Sequence, residues 1–286
     1  MKIKELFNRG NVNFSCEIFP PKKDADFTEV FDVVDRISRL GADYISVTYG
    51  AGGSTSKKTV EVASQIQNKC QTTALAHLTC IDSTPEQIQT QLAEFKANGI
   101  CNIMALRGDK PKDFTGHAYY NYAIELIKDI HAYGDFCIGA ACYPEGHIEC
   151  AHKQEDIFHL KEKVDAGVDF LTTQMFFDNN LFYKFLYQAL AAGITVPIVP
   201  GIMPIINARQ VKRSAELSGA NMPARFLAIA DKFASDPLSM EQAGIAYATD
   251  QIIDLIANGV KHIHLYTMNR PNTAEKILGN LNHIIR

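Results

Sequence analysis

Apolar, β-branched runs recur along the chain at fairly even intervals. Each is closed by Gly, Pro or Asn/Asp and followed by a stretch of helical periodicity. Eight such runs stand out: NFSCEIFPP from Asn13, DYISVTYG from Asp43, TTALAHLTC from Thr72, NIMALRGD from Asn102, DFCIGAACYP from Asp135, FLTTQMFF from Phe170, VPIVPGIMP from Val196 and HIHLYTMN from His262. Most are too apolar to be half-exposed antiparallel strands. Runs buried on both faces imply a parallel sheet covered by helices.

The intervening segments supply those helices. FTEVFDVVDRISRLG, TPEQIQTQLAEFKANG and HLKEKVDAG each place apolar residues three and four apart and end in Gly, a frequent helix stop. Thr84, followed by Pro85 and Glu86, reads as an N-cap with proline at the first helical position. The rhythm breaks only over residues 207–261, where three helices precede the last strand. This stretch reads as an insertion after the seventh strand and not as a second domain. Eight βα units in 286 residues match a closed barrel, whereas a doubly wound sheet uses fewer strands. The expected fold is therefore α/β, a single (β/α)8 TIM-type barrel over residues 1–286 with extra helices between strands 7 and 8. Its active site would lie at the C-terminal ends of the strands, so the last residues of each run become the candidates.

Composition narrows the partners. Hydrophobic residues make up 47% and charged residues 21%, the balance of a soluble globular protein. No apolar run approaches a membrane span, and MKIKELFNRGNVNFSCEIF has no secretion-signal pattern, so a cytoplasmic location away from membranes is expected. Seven cysteines without a CxxC pair argue against a disulfide framework. Cys142, His147, Cys150 and His152 match no standard zinc spacing, and no metal is expected. A net charge of -4 without a Lys/Arg-rich block offers no field for a polyphosphate backbone, which argues against nucleic acid.

Several polar residues sit where a barrel places its chemistry. Glu17 stands among Phe14, Cys16, Ile18 and Phe19 on the first run. Burying a carboxyl favours its neutral form, which a general acid needs, and pairing with a buried cation is the alternative use of such a residue. The fourth run ends in Arg107-Gly108-Asp109, either a rim salt bridge or part of a site. The glycines of residues 49–55, Tyr-Gly-Ala-Gly-Gly-Ser-Thr, could bring backbone N–H groups to phosphate oxygens or could form a plain βα turn. They match neither a dinucleotide fingerprint nor a P-loop. His77, Tyr143 and His147 lie near strand ends, as core residues or as ligands. Gln174 is an amide in an apolar strand, able to donate to and accept from a pterin or a nicotinamide carboxamide, or to bond within the barrel.

In chain order, SCEIFPPK, SVTYGAGGS, HLTC, ALRGD, YPEGH, KVDAG, TTQMFFD, PGIMP and LYTMNR resemble the motif series of the methylenetetrahydrofolate reductase family, across nearly the whole chain. The resemblance is to the short bacterial form, with the catalytic barrel and no regulatory S-adenosylmethionine-binding domain. It implies flavin-dependent reduction of 5,10-methylenetetrahydrofolate to 5-methyltetrahydrofolate with NAD(P)H, by ping-pong hydride transfer through noncovalent FAD, supplying methyl groups for methionine synthesis. It also implies a homo-oligomer. Carried over by motif, the FAD contacts are Thr48, Tyr49, Ala51, His77, Arg107, Gly108, Asp109, Tyr122, Ala123, Tyr143, His147, Asp156, His159 and Lys163. The catalytic set is Glu17 as the acid that opens the substrate ring, Asp109 near pterin and flavin, and Gln174 on the pterin, with Gln210 and Arg270 contacting folate. Ser214 stands where some members carry a phenylalanine that packs on substrate, and His159 where some carry Asn. Two readings outside the family remain: a barrel lyase or aldolase using the 50–53 loop as an anion site, and a noncatalytic barrel subunit of a redox complex.

Overall fold

The computed structural model describes residues 1–23, 26–49, 54–109, 119–150 and 152–285. All eight expected runs form strands: β1 (Asn13–Ile18), β2 (Tyr44–Val47), β3 (Thr73–Thr79), β4 (Asn102–Leu106), β5 (Cys137–Cys142), β6 (Phe170–Thr173), a seventh run split into β7 (Ile198–Val199) and β8 (Gly201–Ile202), and β9 (His262–Tyr266). They pair in parallel in the order β7-β6-β5-β4-β3-β2-β1-β9-β8. The two ends of that order are halves of one run, so the sheet closes into a TIM-type barrel. Pro200 separates the halves because it has no N–H to give to a ladder. Its carbonyl still accepts from the His264 N–H at 3.0 Å, and the Gly201 N–H donates to Thr173 Oγ1 at 2.9 Å. Residues 198–199 thus serve β6, while residues 201–202 serve β9.

Helices α1 (Ile3–Leu6), α2 (Phe27–Arg39), α3 (Ser54–Ser64), α4 (Pro85–Ala97), α5 (Ala123–Tyr133), α6 (Lys153–Asp165), α7 (Asn179–Ala191), α8 (Ala208–Ser218), α9 (Ala224–Phe233), α10 (Pro237–Ala257) and α11 (Pro271–Leu281) accompany the strands. The three helices expected over 207–261 are α8, α9 and α10. At α4, Thr84 Oγ1 accepts from the Gln87 N–H at 3.3 Å and Gln87 Oε1 accepts from the Thr84 N–H at 2.8 Å, a complete capping box. None of the helices among the described residues is long and apolar enough to cross a membrane.

The alternation of each strand divides the core in two. Cys16, Ile18, Ile45, Val47 and Leu78 face outward and pack with helix residues such as Val34, Ile37, Leu92 and Phe95. Tyr44, Leu75, Met104, Cys137, Phe170 and Val199 form a separate cluster with Ile3, Leu6 and Phe7, so α1 plugs the N-terminal end of the barrel. The plug is fastened by the Ile3 N–H, which donates to Asn102 Oδ1 at 2.8 Å. With its base filled by hydrocarbon, the lumen has room for polar side chains only toward the C-terminal ends of the strands.

Candidate active site

Those polar side chains come chiefly from β1 and β9, which pair with Ser15 opposite His264 and Glu17 opposite Tyr266. Period-2 alternation sends all four into the lumen. His77 reaches the same place from β3, across the intervening β2. Glu17 Oε2 lies 3.6 Å from His77 Nε2 and 3.9 Å from His264 Nε2, with the Glu17 side chain only 12% exposed. Two imidazoles make a carboxyl tolerable at this depth. His77 Nε2 is buried without a hydrogen-bond partner. Burial pushes the His77 pKa down to about 4 against the opposing pull of Glu17, so the ring is neutral near pH 7.

Tyr266 closes the other side of the cluster. Its hydroxyl donates to the Thr173 carbonyl at 2.6 Å, and burial, followed by the charge of Glu17, pushes its pKa well above the usual tyrosine value. A Cβ on residue 201 would stand 2.5 Å from Tyr266 Cε2 and 2.6 Å from the Thr173 carbonyl oxygen, so the ring occupies space that only glycine leaves open. Beyond Tyr266 the chain straps β9 to β1: Thr267 Oγ1 donates to the Glu17 carbonyl at 2.6 Å, and Asn269 exchanges hydrogen bonds with the Phe19 backbone at 2.7 and 3.0 Å. Met268 and Asn269 hold φ of 53° and 55° to make that strap, a left-handed conformation that Asn tolerates and that is costly for Met.

A cleft of about 610 Å³ opens at the ends of β4 and β5, walled by α5 and α6. Arg107, Tyr122, Ala123, Tyr143, His147, Asp156, His159 and Lys163 all line it, above an apolar floor of Ala105, Leu106 and Ala141. The Arg107 guanidinium grips the Glu149 carboxylate at 2.7 and 3.0 Å, a hydrogen bond that raises its pKa. Lys163 Nζ donates to the Ala141 carbonyl at 2.8 Å, and burial lowers its pKa. His147 meets the Tyr143 ring edge-on at 4.6 Å and is fixed through its backbone, whose N–H donates to Asp156 at 3.2 Å. Its Nδ1 accepts from the Glu149 N–H at 3.1 Å, so the neutral ring carries its proton on Nε2. Burial pushes the Tyr143 pKa up to about 12, keeping the phenol protonated. Two cations, a hydrogen-bonding imidazole and an aromatic ring over an apolar floor, with the carboxylates of Glu149, Asp156 and Glu162 on the same wall, form a set of donors and acceptors suited to a large, planar, polar ligand.

Other expected site residues are placed differently. Gly108 and Asp109 continue the rim beyond Arg107, with Asp109 exposed. Gly108 holds φ of 87°, where a Cβ would stand 3.0 Å from Thr79 Cβ. Thr48 follows β2, its carbonyl accepting from Thr59 Oγ1 at 3.0 Å. Tyr49 lines a separate groove with Lys57 and Glu86. Ala51 and the 50–53 loop lie outside the described residues. Gln174 Oε1 accepts from the Met175 N–H at 2.9 Å, and Gln210 Oε1 accepts from the Ile206 N–H at 2.9 Å at the start of α8. Arg270 is exposed at the start of α11, and Ser214 is buried. The sequence reading missed Ser15, His264, Tyr266 and Glu149. The first three carried a signal, polar residues two apart on single strands; Glu149 carried none. Among the described residues, no group of three His, Cys, Asp or Glu side chains gathers where a metal could sit.

A family model for methylenetetrahydrofolate reductase matches residues 2–282. The chain is 37% identical over 295 residues to methylenetetrahydrofolate reductase (NADH) 1 of Arabidopsis thaliana, an alignment covering 98% of this chain and 50% of that protein. The chain therefore spans about half the length of the plant relatives that it matches. It is 36% identical over 273 residues to 5,10-methylenetetrahydrofolate reductase of Escherichia coli K12, covering 96% and 92% of the two chains. Among solved structures, an uncharacterized Clostridium thermocellum protein that binds two copies of 5-methyl-5,6,7,8-tetrahydrofolic acid shares the fold, with a TM-score of 0.66, 14% identity, and 98% and 97% of the two chains covered. With a family match along almost its entire length and relatives above a third identical, this chain belongs to the methylenetetrahydrofolate reductase family.

Proposed function

We propose that this chain reduces 5,10-methylenetetrahydrofolate to 5-methyltetrahydrofolate, with NAD(P)H as donor and noncovalent FAD as the carrier that serves both substrates in turn. The observation that carries the reading is the Glu17 carboxyl, sunk in the barrel mouth beside a neutral His77. Family membership supplies the reaction, and a withdrawn carboxyl supplies the acid that the reaction requires. The name of the plant relative favours NADH as the donor. The same reading places the product in methyl supply for methionine synthesis and the protein, as a homo-oligomer, in the cytoplasm.

The cleft fits the flavin by its donor set. Arg107, Lys163 and His147 would hold the anionic part, with Tyr143 and the alanine floor against the flat part. His77, with its unpartnered Nε2, offers a further polar contact from the lumen. When bound, FAD would supply a two-electron hydride carrier. Glu17 gives its proton to a ring nitrogen of the substrate, the C–N bond of the methylene bridge breaks, and the five-membered ring opens to an iminium cation. Asp109 at the rim stabilises that developing positive charge. Gln174, Gln210 and Arg270 orient the folate, the two amides after releasing the backbone N–H groups they now hold.

Purification tests this reading directly. The protein should be yellow, should bleach anaerobically with NADH or NADPH, and should recover its colour with methylenetetrahydrofolate. Replacing Tyr143 and His147 together with Ala should strip most of the FAD from a folded barrel. A colourless wild-type protein, or a double variant with undiminished flavin, contradicts the proposal.

A further inference from the structure

We infer that His264, held in one tautomer by Ser15, is a positioning residue for the proton on Glu17. The use of that proton rests on the folate-reductase reading, whereas the tautomer does not. Ser15 Oγ lies 3.1 Å from the Ile263 carbonyl and 2.8 Å from His264 Nδ1. A carbonyl oxygen can only accept, and the proposal gives the single hydrogen of the hydroxyl to the Ile263 carbonyl. With the hydroxyl so oriented, the second contact runs the other way, from His264 Nδ1–H to a lone pair of Ser15 Oγ. A neutral imidazole with its hydrogen on Nδ1 has a bare Nε2, and that atom faces Glu17 Oε2 at 3.9 Å.

The ring is held at this angle on several sides. His264 is 2% exposed, stacked against the Tyr44 ring at 6.2 Å and met edge-on by the Tyr266 ring at 5.2 Å. A bare imidazole nitrogen has nothing to donate to a carboxylate but accepts from the O–H of a neutral carboxylic acid. In the substrate complex His264 therefore accepts the hydrogen bond of the Glu17 carboxyl, fixing its plane with the hydrogen on Oε2. The 3.9 Å separation closes as substrate packs into the mouth, since catalytic hydrogen bonds are commonly long before the complex forms. When the proton passes to the substrate nitrogen, Glu17 is left as a carboxylate and takes a proton from water before the next turnover. His77, 3.6 Å from the same oxygen, has no such tautomer lock among its contacts.

Two measurements test the inference. Histidine-selective 15N NMR at neutral pH, with His264 assigned through its loss in His264→Gln, should show Nδ1 protonated and Nε2 bare, and Ser15→Ala should move population toward the Nε2–H form. An Nε2–H or doubly protonated His264 in the wild type overturns the inference, whatever the enzyme's substrate. In stopped flow, Ser15→Ala and His264→Gln should slow flavin reoxidation by methylenetetrahydrofolate on the order of ten- to a hundredfold, less than removal of the acid itself. Reduction by NADH should change only a few-fold. Placed in a Glu17→Gln background, neither substitution should slow reoxidation further. Slowing that persists without the acid means that His264 only shapes the barrel, and the inference is wrong. A wild-type protein that folate fails to reoxidise contradicts the proposed function instead, with the NMR arm still deciding the tautomer.

Discussion

His77 shows what one side chain contributes to this site and what it costs. Its pKa falls from the ordinary 6.5 to about 4 because burial penalises the imidazolium more than Glu17 rewards it. The folded protein therefore binds fewer protons here than the unfolded chain between those two values. Stability from this residue is complete above pH 6.5 and is lost as the pH falls toward 4, by about 3 kcal/mol in all. His77→Gln should flatten that acid limb: the difference in Tm between wild type and variant, followed by calorimetry from pH 7.5 to 4, should narrow or reverse as the pH drops. Parallel curves would mean that His77 is not the group titrating. The same residue shows how a site is read from a sequence. A histidine near a strand end was visible, but its meeting with Glu17 depends on the barrel closing around β2, which no local pattern records.

Elements were legible where burial imposes a period. All nine strands fall within the eight apolar runs because a parallel barrel strand is covered on both faces, and α4 announces itself through Thr84, Pro85 and Glu86. The plug helix α1 did not, since four residues are too few to display helical spacing. The break at Pro200 was likewise hidden inside a continuous run, although its missing N–H is what divides the strand between two neighbours. Packing between elements is equally invisible locally, and two glycines make the contrast measurable. A Cβ on Gly244 of α10 would lie 1.9 Å from the Ile205 carbonyl oxygen, whereas nothing lies within 4 Å of one on Gly279 of α11. Gly244→Ala should destabilise by about 3 kcal/mol or prevent folding, because backbone cannot yield as a side chain can. Gly279→Ala should stabilise by about 0.5–1 kcal/mol through helix propensity. Urea midpoints check both, and equal effects would contradict this account of how α10 docks.

At the scale of the whole molecule, the barrel assigns different chemistry to its two ends. The N-terminal end is filled by Ile3, Leu6 and Phe7, and the polar lumen and the β4–β5 cleft are left at the other. The cleft residues were nameable from motifs because Arg107, Tyr143, His147, Asp156 and Lys163 come from β4, β5 and the segments that follow them, and reach one wall without long-range pairing. Glu149, which ties down Arg107, became apparent only in three dimensions, and the meeting of His264 with Glu17 depends likewise on a contact between segments. On the proposed function the acid belongs to the lumen and the carrier site to the rim, so the two half-reactions should separate on one substitution. Glu17→Gln keeps the shape and removes the proton, and loss of a general acid costs about 100- to 10,000-fold. In anaerobic stopped flow the variant should be reduced by NADH within a few-fold of the wild-type rate, with FAD retained, while its reoxidation by methylenetetrahydrofolate should nearly stop. Equal slowing of both half-reactions, or of neither, would contradict the assignment of Glu17 as the acid.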